Sequence, residues 1–123
     1  MILPNQLIFY YLDSENCCST VRLSGAQRSE LNQLYTITNR IVSGRPSYID
    51  QNNEYGIWWK GFDDWMIGRY SDIDNDRILF GYFQNDQDTA CPSHSEHWQE
   101  TNNNAEWEAN VNAHLSCDGT YQY

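Results

Sequence analysis

The stretch QLYTITNRIV, Gln33 to Val42, decides the fold. Tyr35, Ile37 and Ile41 fall on one parity and Thr36, Thr38 and Arg40 on the other, and five of the ten residues are β-branched. That is the period of a half-buried strand, with the stiff side chains a pleated surface favours. The run stops at Gly44-Arg45-Pro46, a turn signal. Working outward, TVRLSG (Thr20–Gly25) alternates in the same way. On the other side SYID runs into the turn QNNE, YGIWW reaches a turn at GFDD, and WMIG follows. RILFGYF is next, then a polar stretch from Gln84 to Glu96. Late segments around Trp98 and from Trp107 to Cys117 flank the turn signal TNNN. Short strands with regular Gly/Asn/Asp punctuation predict an all-β fold, a small antiparallel β-sandwich or barrel, Ig-like in architecture. Two segments have helical spacing, AQRSELNQL and AEWEANVNAHL. In the second, Val111 and the nearby Cys117 suit a strand as well, and strand is preferred.

At 123 residues the chain fits one domain with one core. Its aromatic content of 15% supplies the buried area that a polar average would otherwise deny. The net charge of −10 excludes nucleic acid and anionic membrane as partners, because both demand Lys/Arg patches. The charge is also polarised along the chain. Residues 1–49 carry +1, residues 50–77 carry −4, and residues 78–123 carry −7 with no Lys or Arg. Unlike ends suit head-to-tail contacts between copies.

Cys17, Cys18, Cys91 and Cys117 form an even set without metal-ligand spacing, which reads as two disulfides made in an oxidising compartment. On a strand Cys17 and Cys18 project to opposite faces, so each is expected to pair with Cys91 or Cys117 rather than with the other. A secreted protein is therefore expected, without N-glycosylation, since no Asn lies in N-x-S/T. The start lacks a basic leader, so the chain is expected to be a mature or trimmed form in which Met1 is foreign.

Taken together, VRLSGAQ, LNQLYTI, GRPSY, IWWKGFDDWMIG and the late CP…W…W…C resemble a widespread, poorly characterised small β-module of secreted and multidomain eukaryotic proteins. The resemblance covers roughly Cys17 to Cys117. It implies a secreted β fold and brings no catalytic residues. It also divides the chain: residues 1–16 form an extension strand with a polar joint, DSEN, and residues 17–123 form the disulfide-stapled domain.

The extension holds LIFYYL, Leu7 to Leu12. Leu7, Phe9 and Tyr11 would lie on one strand face and Ile8, Tyr10 and Leu12 on the other, so both faces need cover. Such a strand either folds back into its own sheet or enters that of a neighbour. The second reading makes the protein a non-catalytic structural subunit of an extracellular homopolymeric filament, its partner being itself. The alternative is a secreted carbohydrate-binding module. Trp58, Trp65, Trp98 and Trp107 would stack on sugar rings, with Asn53, Asp63 and Asp64 bonding hydroxyls.

Chemistry is otherwise thin. Asp72, Asp74 and Asp76 alternate as in calcium loops, but Arg77 stands where the loop needs Gly and Phe83 where it needs Glu. His94 and His97 with Glu96 or His114 lack the spacing of a helix-borne zinc site. No GxSxG elbow exists. No enzyme activity, cofactor or metal is expected.

Overall fold

The computed structural model describes residues 17–61, 64–74 and 81–118. The alternating stretch from Gln33 to Val42 supplies β2 (Leu34–Val42), preceded by β1 (Thr20–Ser24) and followed by β3 (Arg45–Asp50), β4 (Tyr55–Trp59) and β5 (Trp65–Arg69). Then come β6 (Gly81–Asn85), β7 (Gln99–Thr101), β8 (Trp107–Ala109) and β9 (His114–Cys117). The fold is all-β and antiparallel, the described residues forming a single curled sheet of nine strands.

Val42 pairs with Arg45, so β2 and β3 are joined through Ser43 and Gly44 alone. Their φ angles of 52° and 85° make the mirror-image turn whose twist matches that of the flanking strands. Between Ile37 and Ile41 the register shifts and β2 carries extra residues. The buried Ser47 fills that bulge. Its hydroxyl lies 2.8 Å from Thr38 Oγ1 and donates to the Arg40 carbonyl at 2.7 Å, replacing ladder bonds that the bulge removes.

The strand order is β8-β7-β6-β5-β4-β3-β2-β1-β9, a meander except for its last strand. All eight pairings are antiparallel, so β8 and β9, at the two ends, point the same way. The chain passes from one end of the sheet to the other through Asn110–Ala113 only. One nearly continuous segment thus touches β7 with its first half and β1 with its second, which curls the sheet into a barrel-like form.

Alternate residues turn inward. Val21, Leu23, Tyr35, Tyr48, Ile57, Trp59, Trp65, Ile67, Phe83, Trp98 and Leu115 fill the interior. The Tyr hydroxyls in this core are satisfied: Tyr35 donates to the Leu31 carbonyl at 2.8 Å and Tyr48 to the Cys18 carbonyl at 2.7 Å. Burial pushes both phenols well above their ordinary range.

Closure depends on one buried carboxylate. Glu100, on β7, accepts from the Gln27 and Arg28 amides at 2.9 and 3.0 Å and from Asn110 Nδ2 at 2.8 Å. Asn110 Nδ2 also donates to the Gly25 carbonyl at 3.0 Å. The β1–β2 connection is thereby bolted to β7 and to the crossing segment. A Cβ on Gly25 would lie 1.8 Å from the Asn112 carbonyl oxygen, so only glycine, at φ 79°, lets the two backbones meet there.

No α-helix occurs among the described residues. AQRSELNQL keeps a single 3-10 turn, Ser29–Leu31, because Asn32 holds both backbone groups of Ala26 through its carboxamide and shapes the segment as a loop. AEWEANVNAHL divides into β8, a turn and β9, as preferred from its sequence.

Two disulfides form, Cys17–Cys91 and Cys18–Cys117, so each vicinal cysteine takes one distant partner. The extension strand Leu7–Leu12 lies outside the described residues.

Candidate functional site: two ends of one sheet

Just ahead of β1 the chain is fixed at two adjacent residues. Cys17 and Cys18 are fully buried. One bridge goes to the β6–β7 connection and the other to the end of β9. The Cys18 carbonyl accepts from Tyr48, and the Ser19 carbonyl accepts from the Ile37 amide at 2.8 Å.

The indole residues nominated from sequence do not gather on the surface. Trp58, Trp65 and Trp98 are 6%, 0% and 1% exposed, which leaves Trp107 half-buried on β8. Trp65 Nε1 donates to Thr89, and its ring meets Trp59 edge-on at 5.5 Å. Arg45 lies over the other indole of that pair, 3.7 Å from the Trp59 centroid, and its guanidinium also bonds the Thr89 carbonyl and Asp88. These rings are structural, because each is engaged on several sides. Trp58 is buried although it faces away from Trp59. On that outer face Tyr70, from the 3-10 turn Tyr70–Asp74, packs directly over Gly56.

Asn53 sits exposed in the β3–β4 turn with φ 57°, and Asp64 pairs with Lys60 at 3.6 Å. Asp63 and Asp76 lie outside the described residues. Asp72 and Asp74 occupy the 3-10 turn, where Asp74 pairs with Arg40. His94 ends the turn Pro92–His94, while His97, at φ 65°, lines a cleft with Glu96 and His114. Among the described residues no three His, Cys, Asp or Glu side chains are grouped to hold a metal.

Two concavities lie at opposite ends of the same three strands. The larger, about 780 Å³, is reached where β5 begins and β6 ends, with the start of β7 beside them. Asp64, Asp86 and Glu96 give it negative charge, and Gln84, Asn85, Gln99 and Asn110 line it with carboxamides. The smaller, about 290 Å³, lies where β5 ends and β6 begins, and includes Arg28, Arg69, Asp72, Tyr82 and Thr101. Both are hydrogen-bonding surfaces. With all four cysteines in bridges, neither contains a thiol nucleophile.

The sequence signals for these clefts were weak, because each is assembled from four segments far apart in the chain. The polarity of charge along the chain was the one legible hint.

Compared with protein-family models, curated proteins and solved structures, the chain matches none. Among the described residues no helix is long and apolar enough to cross a membrane.

Proposed function

We propose that this chain is a non-catalytic structural subunit of an extracellular homopolymeric filament, in which Leu7–Leu12 of one copy enters the sheet of the next. The observation that carries the reading is the doubly stapled root. The apolar segment is joined by Asp13–Asn16 to two consecutive cysteines, bridged to Cys91 and Cys117 on different parts of the barrel. Tension on a donated strand would enter the domain at Cys17 and Cys18 and pass through covalent bonds, not through a frayed strand end. The outer edges of β8 and β9, the two end strands of the sheet, are ladder edges of the kind an added strand uses. Burying six large apolar side chains at about 1.5–3 kcal/mol each, before entropy costs, suffices for a firm contact. The two disulfides support placement outside the cell.

Deletion of residues 1–12 tests this by size-exclusion chromatography and electron microscopy. The intact chain should polymerise, and the deletion should leave dispersed subunits that bind a synthetic peptide of residues 1–16. An intact chain that stays monomeric at high concentration overturns the reading. Glycan binding by Trp107 and the carboxamide-lined cleft would then be the function to test.

A further inference from the structure

Of the six described cationic side chains, four have carboxylate partners: Arg22 with Asp118, Arg40 with Asp74, Arg45 with Asp88 and Lys60 with Asp64. The other two, Arg28 and Arg69, line the same 290 Å³ notch. In a chain with 17 acids and 7 bases, two neighbouring cations that form no ion pair among the described residues are unexpected from composition.

The notch holds both guanidinium groups around one ring. Arg28 stacks on Tyr82, its Cζ 4.6 Å from the ring centroid, and its buried Nε–H has no hydrogen-bond partner among the described residues. Arg69 lines the notch beside Tyr82. Glu100 lies near but is spent, since its oxygens accept from the Gln27 and Arg28 amides and from Asn110. Asp72 also lines the notch and forms no ion pair among the described residues, so the lining counts two positive charges against one negative.

We infer that this notch is a carboxylate-binding site, with Arg28 and Arg69 as the two cationic donors and the Thr101 hydroxyl beside them. A guanidinium stacked on a ring, with its Nε–H buried, is already oriented, so less freedom is lost when it takes an oxyanion. A single carboxylate fits better than a multiply charged phosphate. The lining offers one net positive charge, and the field of a chain at −10 repels dianions. The carboxylate comes either from a free organic acid or from a second copy, whose Asp64, Asp86 and Glu96 lie in the cleft at the other end of β5–β7. The site does not depend on strand donation, and a chain lacking residues 1–12 should retain it.

The test follows the Arg28 and Arg69 Nε–Hε cross-peaks by NMR in the full, oxidised chain. N-acetylglutamate amide, one carboxylate on an uncharged backbone, is titrated at constant ionic strength. The expected result is a saturable shift of the Arg28 peak, with affinity at least about tenfold weaker in Arg69→Gln, the loss of one charge-assisted contact. Arg69 is exposed, so that variant should keep the wild-type melting temperature, and Arg22→Gln should bind as wild type. In a second arm without probe, the protein alone is concentrated. A shift of the same peak that disappears in Asp64→Asn/Asp86→Asn/Glu96→Gln identifies a second copy as the source, and a shift with the probe only identifies a free acid. A peak that responds to neither, or that moves linearly and equally in wild type and Arg69→Gln, overturns the site.

Discussion

β1–β5 and the segment from Asn85 to Asp118 belong to one sheet but are held by different forces. The first region has strands of five to nine residues in long ladders, broken by the one bulge in β2, with Tyr35, Tyr48, Ile57 and Trp65 beneath them. The second has two strands of three residues and one of four, separated by polar loops. Its order comes from side chains bonding backbone. Asn102 accepts from the Asn104 and Glu106 amides, Asn110 from the Asn112 amide, and Thr89 donates to the Cys91 carbonyl. Both disulfides end in this region. A polar, acidic stretch can therefore be as fixed as an apolar one, if its carboxamides and staples replace the ladder.

The largest effect should come from the staples. Each bridge closes a long loop and contributes about 2–5 kcal/mol. On reduction, hydrogen exchange should accelerate first in residues 85–118 while the β2–β5 amides stay protected. Equal acceleration in both regions would break the comparison.

Glu100→Ala comes next. Removing a buried acceptor of three donors should cost about 3 kcal/mol by urea unfolding, because the Gln27 and Arg28 amides lose their partner. Asp50→Ala is the matching variant in the first region. Asp50 accepts from the Glu54 and Tyr55 amides within the β3–β4 turn and from the Gln33 side chain ahead of β2; two of its three bonds are local, so about 1–2 kcal/mol is expected. A larger cost for Asp50→Ala would show that side-chain bonding matters no more in the second region than in the first.

The smallest effects belong to the phenols of the first region. Tyr35→Phe and Tyr48→Phe should each cost about 1 kcal/mol. Their folded pKa values are raised, chiefly by burial, above the ordinary value of 10.0, so the unfolded chain loses those protons first. Their contribution is complete below pH 10.0 and declines as pH rises toward the folded values. Stability measured above that pH should fall less steeply in the double Phe variant than in wild type, and absorbance at alkaline pH should show two tyrosines that ionise only with unfolding.

The first region was the legible one, and for a physical reason. Its hairpin turn, alternation and core positions are all set by neighbours within a few residues, as Ser43-Gly44 and Tyr35 show. The cysteine pairing was narrowed by the opposite directions of adjacent side chains. Trp58 was misjudged because alternation assigns it to the outer face, while Tyr70, brought back by a short 3-10 turn, helps to cover that face. Glu100 and Asn110 were invisible among many acids and amides. The partners that make them bolts, in the β1–β2 connection, lie 72 to 85 residues away. The clefts share that origin.

The adjacency of Cys17 and Cys18 sets a problem in oxidative folding. Exchanging their partners alters each closed loop by one residue, a chain-entropy difference on the order of 0.01 kcal/mol. An unfolded chain thus has no preference between the native pairing and its swapped isomer. Selection has to come from the formed sheet. Cys18 belongs to the core cluster, beneath the Tyr48 hydroxyl that grips its carbonyl, and Cys17 is not part of that cluster. Swapped bridges formed early would persist until thiolate exchange undid them, so the correct isomer should accumulate at the rate of reshuffling, and faster with a disulfide isomerase present.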